Sequence, residues 1–94
     1  MPAEFDPAKR DRTLRARGLD FADADGLWDA DRFTITEETY AGSDAIRYLT
    51  IGEIAAGVIV VIWTPRGTER RIISMRKANA KERRIFAAYN QANP

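Results

Sequence analysis

The sequence contains neither cysteine nor histidine among its 94 residues. The absence of cysteine excludes a disulfide framework and a thiolate nucleophile. The absence of histidine removes the commonest metal ligand and the most frequent general base near neutral pH. A zinc site built from nitrogen and sulfur ligands is therefore not expected, and we predict chemistry that uses no metal and no cofactor.

Long hydrophobic runs are also missing. The longest strongly apolar run covers residues 58–63, whereas a membrane-spanning helix needs roughly 20 apolar residues. The first residues are acidic and lack the basic and then apolar start of a signal peptide. We therefore expect a soluble, cytoplasmic protein that makes no membrane contact. A composition of 45% hydrophobic and 31% charged residues is typical of a globular chain, and the length fits a single domain over residues 1–94.

Charge is present in quantity, and it is segregated along the chain although the net charge is only +1. The net charge is +4 over residues 8–19, −7 over residues 20–44 and +6 over residues 66–84. A solvated surface is the ordinary explanation for any one of these segments. Two basic segments with an acidic one between them indicate one surface for a polyanion and a separate surface for another partner.

The N-terminal third predicts two helices. Asp6 is a good N-cap and is followed by a proline, so a helix is expected over residues 7–17, with Gly18 ending it. Leu14 is the strong apolar anchor of that helix. Asp20 predicts a second, short helix that ends near Trp28.

The remainder predicts a small antiparallel sheet and a closing helix, which together with the first helices give an α+β domain. Strands are expected over residues 33–36, 45–51, 58–63 and 69–76, with a loop at 37–44 and turns at 52–57 and 65–67. Residues 58–63 have no polar face, which is typical of a central strand covered on both sides. On the last strand, alternation places residues 70, 72, 74 and 76 on one face and residues 71, 73 and 75 on the other.

The closing helix begins with a capping-box pair, Asn79 and Glu82, and is expected to end near residue 90. Its predicted core stripe consists of Ile85, Phe86 and Tyr89.

Candidate functional residues are cations, carboxylates and aromatics, because the sequence has no glycine-rich phosphate loop and no nucleophile elbow. Arg76 ends a strand just before a helix N-terminus, where free backbone amides and a guanidinium can hold an anion together. Lys9 and Arg17 are eight residues apart on one helix face, for which a polar outer surface is the ordinary explanation. Glu82 is more easily explained as a cap than as a catalytic base. The two tryptophans are more typical of a core than of base stacking, while Tyr48 fits either role.

Several segments resemble the BrnT family in order and spacing, over about residues 4–89. The most specific is Arg71-Ile72-Ile73-Ser74-Met75-Arg76, followed by Ala78 and Glu82-Arg83. The others are Phe5-Asp6-Pro7-Ala8-Lys9, Gly18-Leu19-Asp20-Phe21 and Ile46-Arg47-Tyr48.

The resemblance implies a toxin of a type II toxin–antitoxin system with a RelE-like fold. Such a toxin is a ribonuclease that cleaves RNA and arrests translation. It is neutralised by a BrnA-like antitoxin with a ribbon-helix-helix DNA-binding domain, and operator DNA is bound through the antitoxin when the complex represses its own operon. We call the acidic segment, residues 20–44, the acidic band. We predict that it attracts this antitoxin near Asp25, Asp29 and Asp31.

The resemblance and the residue analysis together give a site with two groups of side chains. We predict catalytic roles for Arg76, Lys9, Arg47 and Glu82, and RNA contacts for Arg17, Arg71, Lys77 and Arg83.

Two departures from the family pattern leave alternatives open. The family usually has Lys-His-Gly where this chain has Ala16-Arg17-Gly18, and an asparagine where this chain has Thr13. A weak or inactive RNA- or DNA-binding module that acts with its antitoxin in autoregulation is therefore an alternative. A purely structural interaction protein is a second alternative, supported only by the acidic band.

Overall fold

A computed structural model describes residues 3–29, 34–39 and 46–92 of the protein. Strand β1 is followed by helices α1 and α2, with a short 3₁₀ helix (Phe21–Asp25) between them, then by strands β2 to β5 and helix α3. Their bounds are β1 Glu4–Phe5, α1 Pro7–Arg17, α2 Gly26–Asp29, β2 Ile35–Thr39, β3 Arg47–Ile54, β4 Gly57–Arg66, β5 Glu69–Lys77 and α3 Ala80–Ala92.

The fold is α+β, as predicted, but the sheet is mixed rather than antiparallel. Its five described strands lie in the order β1-β5-β4-β3-β2. Strand β1 precedes the helices and pairs in parallel with β5, with Glu4 opposite Arg71 and Phe5 opposite Ile72. The predicted order of helices before strands is therefore only partly right, because a two-residue strand carries little sequence signal of its own.

The predicted helix ends in the first third are confirmed. The Asp6 side chain accepts a hydrogen bond from the Ala8 amide at 2.9 Å, and Asp20 accepts one from the Ala22 amide at the same distance. Gly18 adopts the left-handed conformation, at φ +69°, which closes α1.

Strand ends were predicted less well than strand positions. Residues 37–39 pair with β3 instead of forming the start of a loop, while the rest of the predicted loop lies outside the described residues. Strand β3 continues to Ile54, so the turn is residues 55–56 rather than 52–57, and β4 continues to Arg66. Cross-strand hydrogen bonds extend these strands through residues whose own propensities favour turns.

Strand β4 is covered on both sides, as its continuous hydrophobic run predicts. Ile59 and Val61 are buried on the side of the first helices. Val60 is buried on the other side, together with Ala78 and Phe86. The sheet therefore separates two small cores.

A β-bulge in β5 changes the predicted faces of that strand. Ile62 pairs with Ser74 while the next residue, Trp63, pairs with Ile72, which leaves Ile73 as an extra residue. The bulge puts Ile72 and Met75 in the same core, so the prediction that they face opposite sides is wrong.

The same bulge separates the arginines of β5. Arg71 and Arg76 pair with residues 64 and 60 of β4, so both lie on the α3 side of the sheet together with Ser74. Arg70 lies on the opposite side, and the prediction that it shares a face with Arg76 is wrong.

Three predicted core residues are exposed. Leu14 is 39% exposed, Ile85 46% and Tyr89 40%, whereas Phe86 is buried. Helix α1 buries none of its residues. It is attached by polar contacts instead, with Arg10 donating two hydrogen bonds to Asp20 at 2.8 and 2.6 Å. Within the described residues, no helix has the length and apolar character needed to cross a membrane.

Candidate functional site

A groove of about 250 Å³ lies between α1 and β5. The three- and four-residue spacings on α1 align its lining residues on one helix face, and the bulge brings the β5 residues to the opposite wall. We call this the basic groove; its lining residues are Lys9, Arg12, Thr13, Ala16, Arg17, Ile73 and Ser74. The groove combines three cations with two hydroxyl groups, which is suited to binding a phosphate.

Arg17 links the two walls of the basic groove. Its Nη1 atom donates a hydrogen bond to the main-chain carbonyl of Met75 at 2.7 Å. A guanidinium has five N–H donors, so this bond leaves others for a ligand. Arg17 therefore fixes α1 against β5 and also lines the groove.

Arg76 lies beside the basic groove and is held by Glu82. Its Nη1 and Nη2 atoms donate to the two carboxylate oxygens of Glu82 at 2.7 and 2.9 Å. The Arg76 side chain is 39% exposed and that of Glu82 is 17% exposed. Ser74 is two residues before Arg76 on the same face of β5, which is about 7 Å along the strand. A phosphate at the end of the groove could therefore meet both residues.

Glu82 also completes the predicted capping box at the start of α3. It accepts a hydrogen bond from the Asn79 amide at 2.9 Å, and its own amide donates to Asn79 Oδ1 at 2.8 Å. Hydrogen bonds from Arg76 lower the pKa of Glu82, although partial burial opposes that change. A carboxylate with a lowered pKa is a weaker base, so Glu82 is better suited to orienting Arg76 than to accepting a proton.

Arg71 and Arg47 lie further from the basic groove. Arg71 forms an ion pair with Glu4 at 3.1 Å. Ile51 of β3 and Arg76 of β5 lie at the same level of the sheet, because both pair with Val60 of β4. Arg47 is four residues before Ile51. That offset is roughly 13 Å along the strand direction. The structure therefore places Arg47 on the face of Arg76 but at the other end of the sheet.

The remaining predicted side chains are not gathered at the basic groove. Arg83 donates a hydrogen bond to the carbonyl of Ala78 at 2.8 Å, where it supports the connection from β5 to α3. Lys77 is exposed and pairs with Ile59, on the side of the sheet opposite Arg76. Tyr48 is also on that opposite side, where it packs on Trp63.

The sequence interpretation did not include Arg12 and Ser74 among the site residues. Ser74 had a usable signal, because it is two residues from Arg76 on a strand. Arg12 also had one, because it is three residues after Lys9 and therefore on the same face of α1. Among the described residues, no three acidic side chains are grouped so that they could hold a metal ion.

A protein-family model described as "Ribonuclease toxin, BrnT, of type II toxin-antitoxin system" matches residues 5–82. The match runs from β1 into the first turn of α3 and includes every residue of the basic groove as well as Arg76 and Glu82. Comparison with curated proteins and with solved structures gives no match.

Proposed function

Because the chain belongs to the BrnT family of ribonuclease toxins of type II toxin–antitoxin systems, we propose that it cuts RNA in the basic groove and thereby arrests translation. The observation that carries the proposal is the position of Arg76, an exposed and oriented guanidinium, beside a groove that already contains Lys9 and Arg17. Within the described residues these cations converge from α1 and β5, two elements that are far apart in the sequence.

The chemistry that fits this site uses the RNA as its own nucleophile and needs no metal. The 2′-oxygen bonds to phosphorus and the bond to the 5′-oxygen breaks, which leaves a cyclic phosphate. The leaving 5′-oxygen takes a proton from water and becomes a 5′-hydroxyl. The enzyme must stabilise the charge that develops on the phosphoryl oxygens, and fixed cations do this without reorganisation. We assign that role to Arg76 and Lys9, with Arg17, Ser74 and Arg12 holding the neighbouring backbone.

Proton transfer is the part of the reaction for which the basic groove is least equipped. Arg17 is where the family pattern has histidine, and Glu82 is committed to Arg76 and to the α3 cap. The proton of the 2′-hydroxyl then passes to water or to another side chain, which predicts a slow enzyme because a general base contributes about 10²–10⁴ in rate.

The same observation favours the alternative of a non-cutting RNA-binding module that works with its antitoxin. Such a module would use the cations of the basic groove for affinity alone.

We further propose that the acidic band binds a BrnA-like antitoxin, which carries the contact with operator DNA. A groove of about 550 Å³ lies between the 3₁₀ helix and the β3–β4 turn. Asp23 and Glu53 line it together with apolar side chains. Asp25 has a different task, since both of its carboxylate oxygens accept from the Ala3 amide, at 3.1 and 3.0 Å. A cationic partner would meet Asp23 in this groove, on a surface distinct from the basic groove.

The test is cleavage of single-stranded RNA by the purified protein in excess EDTA. The ribonuclease proposal predicts fragments that end in a cyclic phosphate, and their loss in the Lys9→Ala variant. RNA that is bound and never cut would favour the binding module. Cleavage that requires added magnesium would contradict the metal-independent mechanism.

A further inference from the structure

Two tryptophans, a tyrosine and an arginine meet at the end of the sheet where β3 begins, on the side opposite Arg76. The Arg70 guanidinium carbon is 4.0 Å from the ring centroid of Trp28 and 5.4 Å from that of Trp63. The Trp28 and Trp63 rings meet edge to face at 5.8 Å, and Tyr48 lies 4.8 Å from Trp63 with the ring planes 31° apart. We call these four residues the end cluster; each is only half-buried.

The end cluster is built by the sheet itself. Tyr48 and Trp63 are direct cross-strand partners, and Trp63 Nε1 donates a hydrogen bond to Thr50 Oγ1 at 2.8 Å, which fixes the indole. The bulge in β5 turns Arg70 to this side. Its Nε atom is buried with no hydrogen-bond partner in the described part of the chain. The contacts that place the guanidinium here are therefore with ring faces, and not through Nε.

Two further arginines, Arg71 and Arg47, lie at this same end of the sheet but on its other face. Both lie on the face of Arg76, level with Thr64 of β4. Arg70 pairs with the next residue of β4, Pro65, and lies on the opposite face. Single-stranded nucleic acid is commonly held by a basic track for its backbone and by aromatic rings or guanidinium planes on which unpaired bases stack. The end cluster has the composition of the second feature, and a strand that passes around this end of the sheet could contact both the cluster and the arginines on the other face.

We propose that an unpaired base of the RNA stacks on the Arg70 guanidinium over Trp28 and Trp63, in a subsite separate from the basic groove. This subsite rests on the proposed ribonuclease function for the identity of its ligand. The outer plane of Arg70 receives the base, and the two indoles behind it keep the guanidinium in place. A π-face is common to all bases, so the subsite adds affinity with little sequence preference.

Intrinsic fluorescence reports on this subsite directly, because the chain has two tryptophans and both belong to the end cluster. The probe is a single-stranded 2′-O-methyl oligonucleotide of mixed sequence, which has no free 2′-hydroxyl and stays intact. Its companion has the same length and phosphates but abasic positions. The base-containing probe is expected to quench the tryptophans and to bind about 10-fold more tightly than the abasic one.

Two variants test whether the preference for the base-containing probe depends on Arg70. Arg70→Lys keeps the charge but removes the planar group, so it is expected to reduce the affinity for the base-containing probe by about 10-fold and leave that for the abasic probe unchanged. Arg66→Lys is the matched control, since Arg66 is exposed at the nearby turn, and it is expected to change neither affinity. Thermal unfolding of each variant shows whether it is folded, and the comparison of probes on the unchanged protein does not depend on any variant.

The outcomes separate this inference from the ribonuclease proposal. Equal affinity and equal quenching by the two probes would overturn the stacking subsite, and cleavage of ordinary RNA by the same preparation would leave the ribonuclease proposal standing. Quenching by the base-containing probe alone supports the subsite even in a protein that cuts no RNA, in which case the ribonuclease proposal fails. Binding of the base-containing probe with unchanged tryptophan fluorescence would also overturn the subsite.

Discussion

At the scale of single residues, the site depends on the division of work between Arg76 and Glu82. The carboxylate orients the guanidinium and caps α3 at the same time. The guanidinium keeps an exposed edge that can face a phosphate. In the proposed mechanism, this arrangement separates phosphate binding, which we assign to Arg76, from support of the guanidinium, which we assign to Glu82.

The Glu82→Gln variant tests that division. Glutamine can still accept from the Asn79 amide, so the cap survives while the negative charge is lost. We expect the cleavage rate to fall by less than about 10-fold, because Arg76 remains but is held less firmly. A general base at this position predicts a fall of about 10²–10⁴ instead.

The pH profile gives a second measure of the same division. Arg76 lowers the pKa of Glu82 below its ordinary 4.5, so the carboxylate stays ionised as the pH falls to about 5. We therefore expect the cleavage rates of the wild-type protein and of Glu82→Gln to depend on pH in the same way between about pH 5 and 7. A cleavage rate that falls with decreasing pH in the wild type, but not in the variant, would identify Glu82 as the base.

The ion pair between Arg10 and Asp20 predicts a pH-dependent stability. Hydrogen bonds from Arg10 and then from the Ala22 amide lower the pKa of Asp20 from 3.8 to about 2. A lowered native pKa adds stability above the unfolded-state pKa, and this is lost as the pH falls towards about 2. Asp20→Asn should therefore lower Tm by a few degrees at pH 7, and the difference should shrink between about pH 4 and pH 2.

Asparagine is as good an N-cap as aspartate, so this substitution removes the ion pair and keeps the cap. Asp6→Asn is the control, because Asp6 caps α1 without an ion pair in the described part of the chain. Thermal unfolding followed by circular dichroism over this pH range gives the comparison. A Tm difference for Asp20→Asn that stays constant with pH would contradict the ion-pair explanation.

At the scale of secondary-structure elements, local signals in the sequence were sufficient to predict features that a residue forms with its own sequence neighbours. The caps at Asp6, Asp20 and Asn79 predicted three helix starts, and the unbroken run of residues 58–63 predicted the central strand. Lys9 and Arg17 of α1 line one groove, as their eight-residue spacing on one helix face predicts.

Features that depend on distant partners could not be predicted in this way. The bulge at Ile73 is set by how β4 and β5 pair, and it decides which arginines of β5 face the basic groove. The exposure of Leu14 follows from the position of α1 at the edge, where polar contacts hold it. The end cluster likewise needs three strands and α2 to be in place. The sequence alone therefore predicts the residue types of the site better than their arrangement.

Gly52 shows the same dependence on a distant partner and provides a test of the helix–sheet packing. It was expected in a turn, but it is buried in β3 where Leu27 of α2 approaches closely. A Cβ atom there would overlap the Leu27 side chain and press on Thr34. Gly52→Ala should therefore lower the free energy of unfolding by about 1–3 kcal/mol.

Gly26→Ala is the matched control for that change. Its Cβ atom would meet Ile54 at an ordinary 3.5 Å, and alanine favours the helical conformation. Urea unfolding of the two variants should show a loss of stability for Gly52→Ala only. Equal stability of the two variants would contradict the close approach of α2 to β3.

At the scale of the whole molecule, the segregated charge corresponds to separate surfaces. The basic segments supply both walls of the basic groove, whereas the acidic band supplies the 3₁₀ helix and α2 on a different part of the fold. Such a division allows a nucleic acid and a cationic protein to use one small domain without competing for the same charges.

Neutralising the acidic band should slow antitoxin association without affecting RNA cleavage. We expect Asp23→Asn with Asp29→Asn to lower the association rate constant at low salt, and the effect to fade as ionic strength rises, because charge complementarity acts mainly on encounter. Asp25 is kept, since it binds the Ala3 amide. Asp11→Asn, an exposed acid outside the band, is the control. Surface plasmon resonance at several salt concentrations makes the comparison, and an unchanged rate constant at all of them would contradict the role of the band.

The central claim is that Arg76 stabilises the reacting phosphate beside the basic groove, and the most direct measurement is the RNA cleavage rate of Arg76→Ala in EDTA. Arg84→Ala, which removes an exposed arginine of α3, is the control, and thermal unfolding and antitoxin binding show that each variant is folded. We predict a fall of about 10²–10³ for Arg76→Ala and no change for Arg84→Ala, with Arg76→Lys restoring only part of the rate. A folded Arg76→Ala protein that cuts RNA as fast as the wild type would contradict the claim.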